Sequence, residues 1–116
     1  MAQSIVARVR RWQKKLLLGD WKITVQSGPL DTGERADCDA RPEYKEALLR
    51  FDPEKIPADE LDGFVIHELL HCHTWRLEQI AEEWGQSESR YAFVRDVAEA
   101  VVTELERAIL NVARKR

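Results

Sequence analysis

His67-Glu68-Leu69-Leu70-His71 is the stretch of this 116-residue chain whose residue types and spacing name a chemistry. At about 3.6 residues per helical turn, side chains four apart share one face, so two imidazoles can grip one metal ion with Glu68 beside them. H-E-x-x-H on a helix is half of a zinc-hydrolase site. Glu68 is not expected to ligate. It is the expected general base, taking a proton from a zinc-bound water whose pKa the ion lowers to about 7 and later passing it to a leaving group. Chance matches to so short a pattern occur, but this one lies in a helical pattern, with Phe64, Val65 and Ile66 before it and Leu69 and Leu70 within it. Ionisable groups in such apolar surroundings need a partner.

A zinc site needs a third protein ligand, and no histidine follows His73. The donor should then be a carboxylate on another element, because Glu78, on the same helix, lies about 10 Å of rise beyond His71. Residues 87–114 supply that element. Val94, Val97, Ala98, Val101, Leu105, Ala108, Ile109 and Val112 form a long apolar stripe that predicts a helix packed on the first. Its candidate donors are Asp96, Glu99 and Glu104, and wheel position leans toward Glu104 without deciding. His73 falls roughly 240° around the wheel from His67, inside the core stripe of Ile66, Leu69, Leu70, Leu77, Ile80 and Trp84, and reads as a hydrogen-bonded core histidine. Cys72 reads as a small buried hydrophobe.

The elements that must position these groups follow from periodicity. Ile5, Val9, Trp12 and Leu16, widened by Val6 and Leu17, predict an amphipathic helix over residues 2–18, ended by Gly19-Asp20. Arg8, Arg10, Arg11, Lys14 and Lys15 fill much of its other side; a solvated face is the simpler reading, an acidic or phosphate partner the functional one. Trp21 to Gln26, Ala36 to Ala40 and Lys45 to Phe51 each alternate apolar with polar residues and predict three short strands joined by turns, hence a small, mostly antiparallel sheet. Asp37 and Asp39 should face solvent. The metal helix should start with an N-cap near Pro57 to Asp59 and run through Leu61 to Trp84, closed by Gly85.

Length and composition bound the rest. The chain is sized for one domain spanning 1–116. Two cysteines, Cys38 and Cys72, are too few for a disulfide framework and suit a reducing compartment. No apolar run of membrane-spanning length and no secretory signal is visible, so a cytoplasmic location is expected. A net charge of -3 argues against general nucleic-acid affinity.

His67 to His71, Trp75-Arg76-Leu77-Glu78 and the segment Glu99-Ala100-Val101-Val102-Thr103-Glu104-Leu105-Glu106-Arg107-Ala108 together resemble the small zincin-like metallopeptidases encoded by bacteriophages and prophages. The similarity extends to Trp21-Lys22-Ile23-Thr24-Val25 and to the strand and turn from Ala47 to Pro53. It implies an α+β minimal zincin fold: an N-terminal helix, the small sheet, the H-E-x-x-H helix and a C-terminal helix packed on it. The third ligand it implies, as in gluzincins, is Glu99, two residues before Val101-Val102. Cys72-His73 stands where related sequences carry aliphatics. The resulting expectation is zinc-dependent hydrolysis of a peptide or protein, with zinc on His67, His71 and Glu99 and with Glu68 as base. Leu48 to Phe51, if it is the sheet edge bordering the site, could hold an extended peptide by adding it as a strand; no residue stands out as the oxyanion stabiliser, with Tyr44, Tyr91 and Arg95 as the candidates. The alternative is a zinc-stabilised, non-catalytic interaction module docking through the basic N-terminal helix.

Overall fold

The computed structural model describes residues 2–84 and 88–114, with side chains described for 5–75, 92, 93 and 95–114. The order is α1 (Ala2–Lys15), β1 (Lys22–Ser27), β2 (Ala36–Arg41), β3 (Glu46–Phe51), α2 (Leu61–Trp84) and α3 (Glu88–Arg114). Short 3-10 turns at Pro42–Tyr44 and Ala58–Glu60 precede β3 and α2. The class is α+β, as expected. Leu77, Glu78, Ile80, Trp84, Tyr91 and Val94 lie outside the described side chains, and Gly85 outside the described residues.

Ile5, Val9 and Trp12 are buried as the α1 stripe requires, but Val6 is exposed and Leu17 is 84% exposed. The helix ends earlier than Gly19-Asp20 suggests. Leu17 takes the left-handed conformation (φ 61), and the Leu18 amide donates to the Gln13 carbonyl at 2.9 Å while the Leu17 amide donates to Lys14 at 3.2 Å. This pair of bonds is a Schellman stop, which turns Leu17 outward and drops Leu18 into the core. The buried Gln13 side chain then donates to the carbonyls of Leu18 and Trp21, fixing the path into β1.

The sheet corrects the expected topology. Its order is β1-β3-β2, with β3 parallel to β1 and antiparallel to β2, so it is mixed and not mostly antiparallel. Strands joined by turns usually pair in sequence order. Here the eight residues 28–35 between β1 and β2 are long enough to leave one strand's width, about 4.8 Å on either side, into which β3 inserts. Ala47, Leu49 and Phe51 of β3 and Cys38 and Ala40 of β2 are buried on the helical side. Asp39 is exposed as expected, whereas Asp37 is half-buried and paired with Arg50, its cross-strand neighbour.

Val65, Ile66, Leu69, Leu70 and Cys72 bury α2 against this layer. Asp62, in its first turn, accepts from Arg8 at 3.0 Å, from Arg11 at 3.3 Å and from the Trp12 indole at 3.2 Å. A carboxylate at a helix N-terminus is favoured by the dipole, and here it also locks α1 onto α2. His73 is exposed, contrary to the core reading, because it projects beside the end of α1; its Nε2–H donates to the Leu16 carbonyl at 2.8 Å. No helix among the described residues is long and apolar enough to cross a membrane.

Candidate metal centre

His67 and His71 leave α2 one turn apart, their ring centroids 5.1 Å from each other. Across from them α3 presents Glu99, whose Oε1 lies 2.8 Å from His71 Nε2 and whose Oε2 lies 3.2 Å from His67 Nε2. The three donor atoms lie within 4.8 Å of one another, and among the described residues this is the one group of histidine, cysteine or carboxylate side chains so gathered. It could hold a metal ion. The other candidates, Asp96 and Glu104, are exposed and outside the group.

The wheel leaned toward Glu104 because α3 does not bury the middle of its apolar stripe. Among the described side chains of α3, only Ala98 and Val102 are buried, while Val97, Val101 and Leu105 remain 42–46% exposed. Taking about 100° per residue, the buried direction is turned roughly 80–100° from Val101, which carries Glu99 and Glu106 onto α2 and swings Glu104 away.

Glu106 was not singled out from the sequence. Seven residues after Glu99, it shares the same face two turns on, and it accepts a hydrogen bond from His67 Nδ1–H at 3.0 Å. That bond leaves Nε2 facing the Glu99 carboxylate at 3.2 Å, where either an Nε2 proton or a metal cation must lie between the two. The donor set therefore fits a divalent ion, with Glu106 orienting one imidazole from behind.

Gly63 was also legible only in retrospect. Glycine inside a helix costs about 1 kcal/mol relative to alanine, so its presence asks for a reason. A Cβ there would stand 3.0 Å from Glu106 Oε2 and 3.4 Å from Leu110 Cδ1. The bare backbone one turn before His67 is the space in which the Glu106 carboxylate sits. Gly63→Leu should therefore evict Glu106 and weaken metal binding about 10- to 100-fold, as Glu106→Ala should. Chelator competition on the single and double variants checks this: the double variant should lose no more than either single one, since both remove the same bond.

Glu68 points beside this cluster and is 6% exposed. Burial pushes its carboxyl up to about 8; His71 opposes the rise, and Glu99, Asp37 and Glu34 add to it. In the metal-free protein the folded value thus exceeds the ordinary 4.5. The unfolded chain then gives up its proton first, so the stabilising contribution is complete below about pH 4.5 and is lost as pH rises through about 8. Urea unfolding of metal-free wild type and Glu68→Gln should show the variant gaining stability relative to wild type between pH 5 and 9. Curves that stay parallel would mean that Glu68 is not held in this environment.

A cavity of about 630 Å³ opens along His67 and Glu68, walled by Phe64 and Leu110 and reached by Arg35 and Arg114. Tyr44 and Arg95 are exposed and line no part of it, and Tyr91 is outside the described side chains. The expectation for Leu48 to Phe51 is overturned, because β3 is the central strand and has no free edge. The edge nearest the centre is β2, whose first residue Ala36 lines the cavity. The Asp52 amide donates to the Arg35 carbonyl at 2.8 Å, so odd-numbered residues here bond toward β3 and the backbone groups of Ala36, Cys38 and Ala40 face the outer edge. Cys38 and Cys72 are both buried free thiols, and their mutual hydrogen bond, together with burial, pushes Cys38 far up, so they serve as packing and not as nucleophiles. In comparison with known proteins, the chain matches no family model, no curated protein and no solved structure.

Proposed function

We propose that the protein is a zinc-dependent peptide hydrolase with a minimal zincin-like fold. The observation that carries this reading is a buried carboxylate, Glu68, set between a His67–His71–Glu99 donor group and a cavity. A purely structural zinc site is closed by four protein ligands and has no use for a base, whereas three donors leave a position for chemistry. Zinc bound there would supply a Lewis acid, polarising a carbonyl and acidifying water.

The chain's own groups do the rest. His67 is held in place by its bond to Glu106, which leaves its Nε2 facing the Glu99 carboxylate. Glu68 takes up the proton released by the attacking water and returns it to the departing amine, a role suited to a carboxylate raised toward neutrality by its surroundings. Phe64 and Leu110 exclude solvent from one side of the cavity. The outward backbone groups of Ala36, Cys38 and Ala40 offer an extended peptide a strand to pair with, replacing the β3 edge expected from sequence. The resemblance to phage-type metallopeptidases points the same way.

A non-catalytic module docking through the basic helix has less support. Arg8 and Arg11 are engaged by Asp62, and Lys15 lies over the Trp12 ring with its ammonium 5.0 Å from the ring centre. The decisive experiment incubates zinc-loaded protein with a mixed peptide library and reads new termini by mass spectrometry, with and without a chelator. Cleavage abolished by the chelator and restored by zinc is the expected result. Tight zinc binding with no cleavage would leave the structural module standing.

A further inference from the structure

The cavity beside the metal centre carries charges that peptide hydrolysis does not call for. Glu106, Leu110 and Arg114 form its α3 wall, each four residues after the last, and this wall runs about 12 Å away from the metal end. Gly63 faces Glu106 and Leu110 from α2, with Phe64 beside it, so the middle of the cavity is apolar. The rim adds Glu34, from the segment before β2, and Asp59 and Glu60, from the turn before α2. All three are exposed and, among the described residues, none is in an ion pair. They do not gather closely enough to hold a metal ion. Arg35 and Arg114 share the rim, so its exposed charges stand at three negative against two positive. Deeper in, Glu68 is 6% exposed, lines the cavity and has no hydrogen-bond partner among the described residues. Besides burial and His71, the charges that act on it are the carboxylates of Glu99, Asp37 and Glu34. A divalent ion would balance Glu99 and Glu106 and leave the excess at the rim uncancelled.

We propose that this cavity selects a substrate with lysine or arginine beside the cleaved bond, an inference that rests on the reading of the protein as a peptide hydrolase. Such a side chain lays its methylene stem along Phe64 and Leu110 and places its charged tip among Glu34, Asp59 and Glu60. An apolar side chain leaves those carboxylates unmatched, and an acidic one meets like charge. Walls of low dielectric focus the field of a charged cleft, so a small excess of one sign is enough to discriminate.

The test uses short, fluorophore-capped alanine peptides with one variable central residue: lysine, glutamate or norleucine, which keeps the stem of lysine without its charge. Their binding to zinc-saturated Glu68→Gln is read by fluorescence anisotropy. Lysine should bind about tenfold tighter than norleucine, exposed carboxylates contributing modestly each, and glutamate more weakly than either. The margin should shrink as added salt screens it. Glu34→Lys/Glu60→Lys should turn the preference toward glutamate. Glu43→Lys/Glu46→Lys, the same change in net charge at exposed positions outside the cavity, should leave it in place. Incubating the same peptides with zinc-loaded wild type keeps the two readings apart: a lysine preference with no peptide cut would retain the cation-selecting cavity and remove the hydrolase. Equal binding of lysine and norleucine, tighter binding of glutamate, or a preference that Glu43→Lys/Glu46→Lys removes as fully would overturn the inference, whether or not peptides are cleaved.

Discussion

Zinc affinity is expected to fall by two to three orders of magnitude in Glu99→Ala, taking about 10–16 kcal/mol for a complete site shared among its ligands. Glu104→Ala, which alters an exposed side chain, should change it by no more than about threefold. Competition against a chromophoric chelator measures both. The contrast rests on the rotation of α3: Ala98 and Val102 face α2, so Glu99 meets both imidazoles and Glu104 meets solvent. The reverse order of affinities would mean that α3 packs on its Val97–Val101–Leu105 face. Two unchanged affinities would remove α3 from the metal centre altogether.

Glu68→Gln should keep zinc affinity near that of wild type while peptide cleavage drops about 100-fold or more, the reach of a positioned proton carrier. The amide preserves the shape and burial of the side chain and removes only its ability to accept and return a proton. Measuring kcat and zinc affinity on the same preparation separates the two effects. Cleavage at the wild-type rate would strip Glu68 of its role even if zinc proved essential.

The metal helix was legible in the sequence because its information is local. His67 and His71 share a face through helix geometry alone, and Val65, Ile66, Leu69 and Leu70 mark the buried side without help from any neighbour. The three strands were legible for the same reason, each written in its own alternation. Strand order was not, since nothing within Glu46–Phe51 says that it slides between β1 and β2. The third donor fell between these cases. α3 carries apolar residues on more of its circumference than α2 covers, so periodicity gave a helix but not its rotation, and the resemblance pointed to Glu99 where the wheel leaned to Glu104. Glu106 and Gly63 left fainter signals, a second carboxylate two turns on and a glycine inside a helix.

The central place of β3 has a consequence for how the chain is made. Its residues leave the ribosome after those of β1 and β2, yet every ladder in the sheet runs through it. Until position 51 emerges, β1 and β2 have no partner and expose unpaired edges of the kind that invite wrong association. α2 follows within ten residues, and its apolar face covers the new sheet almost as soon as it forms. A nascent chain stalled before Glu46 should therefore be protease-sensitive throughout β1 and β2, and protection should arrive for both strands together.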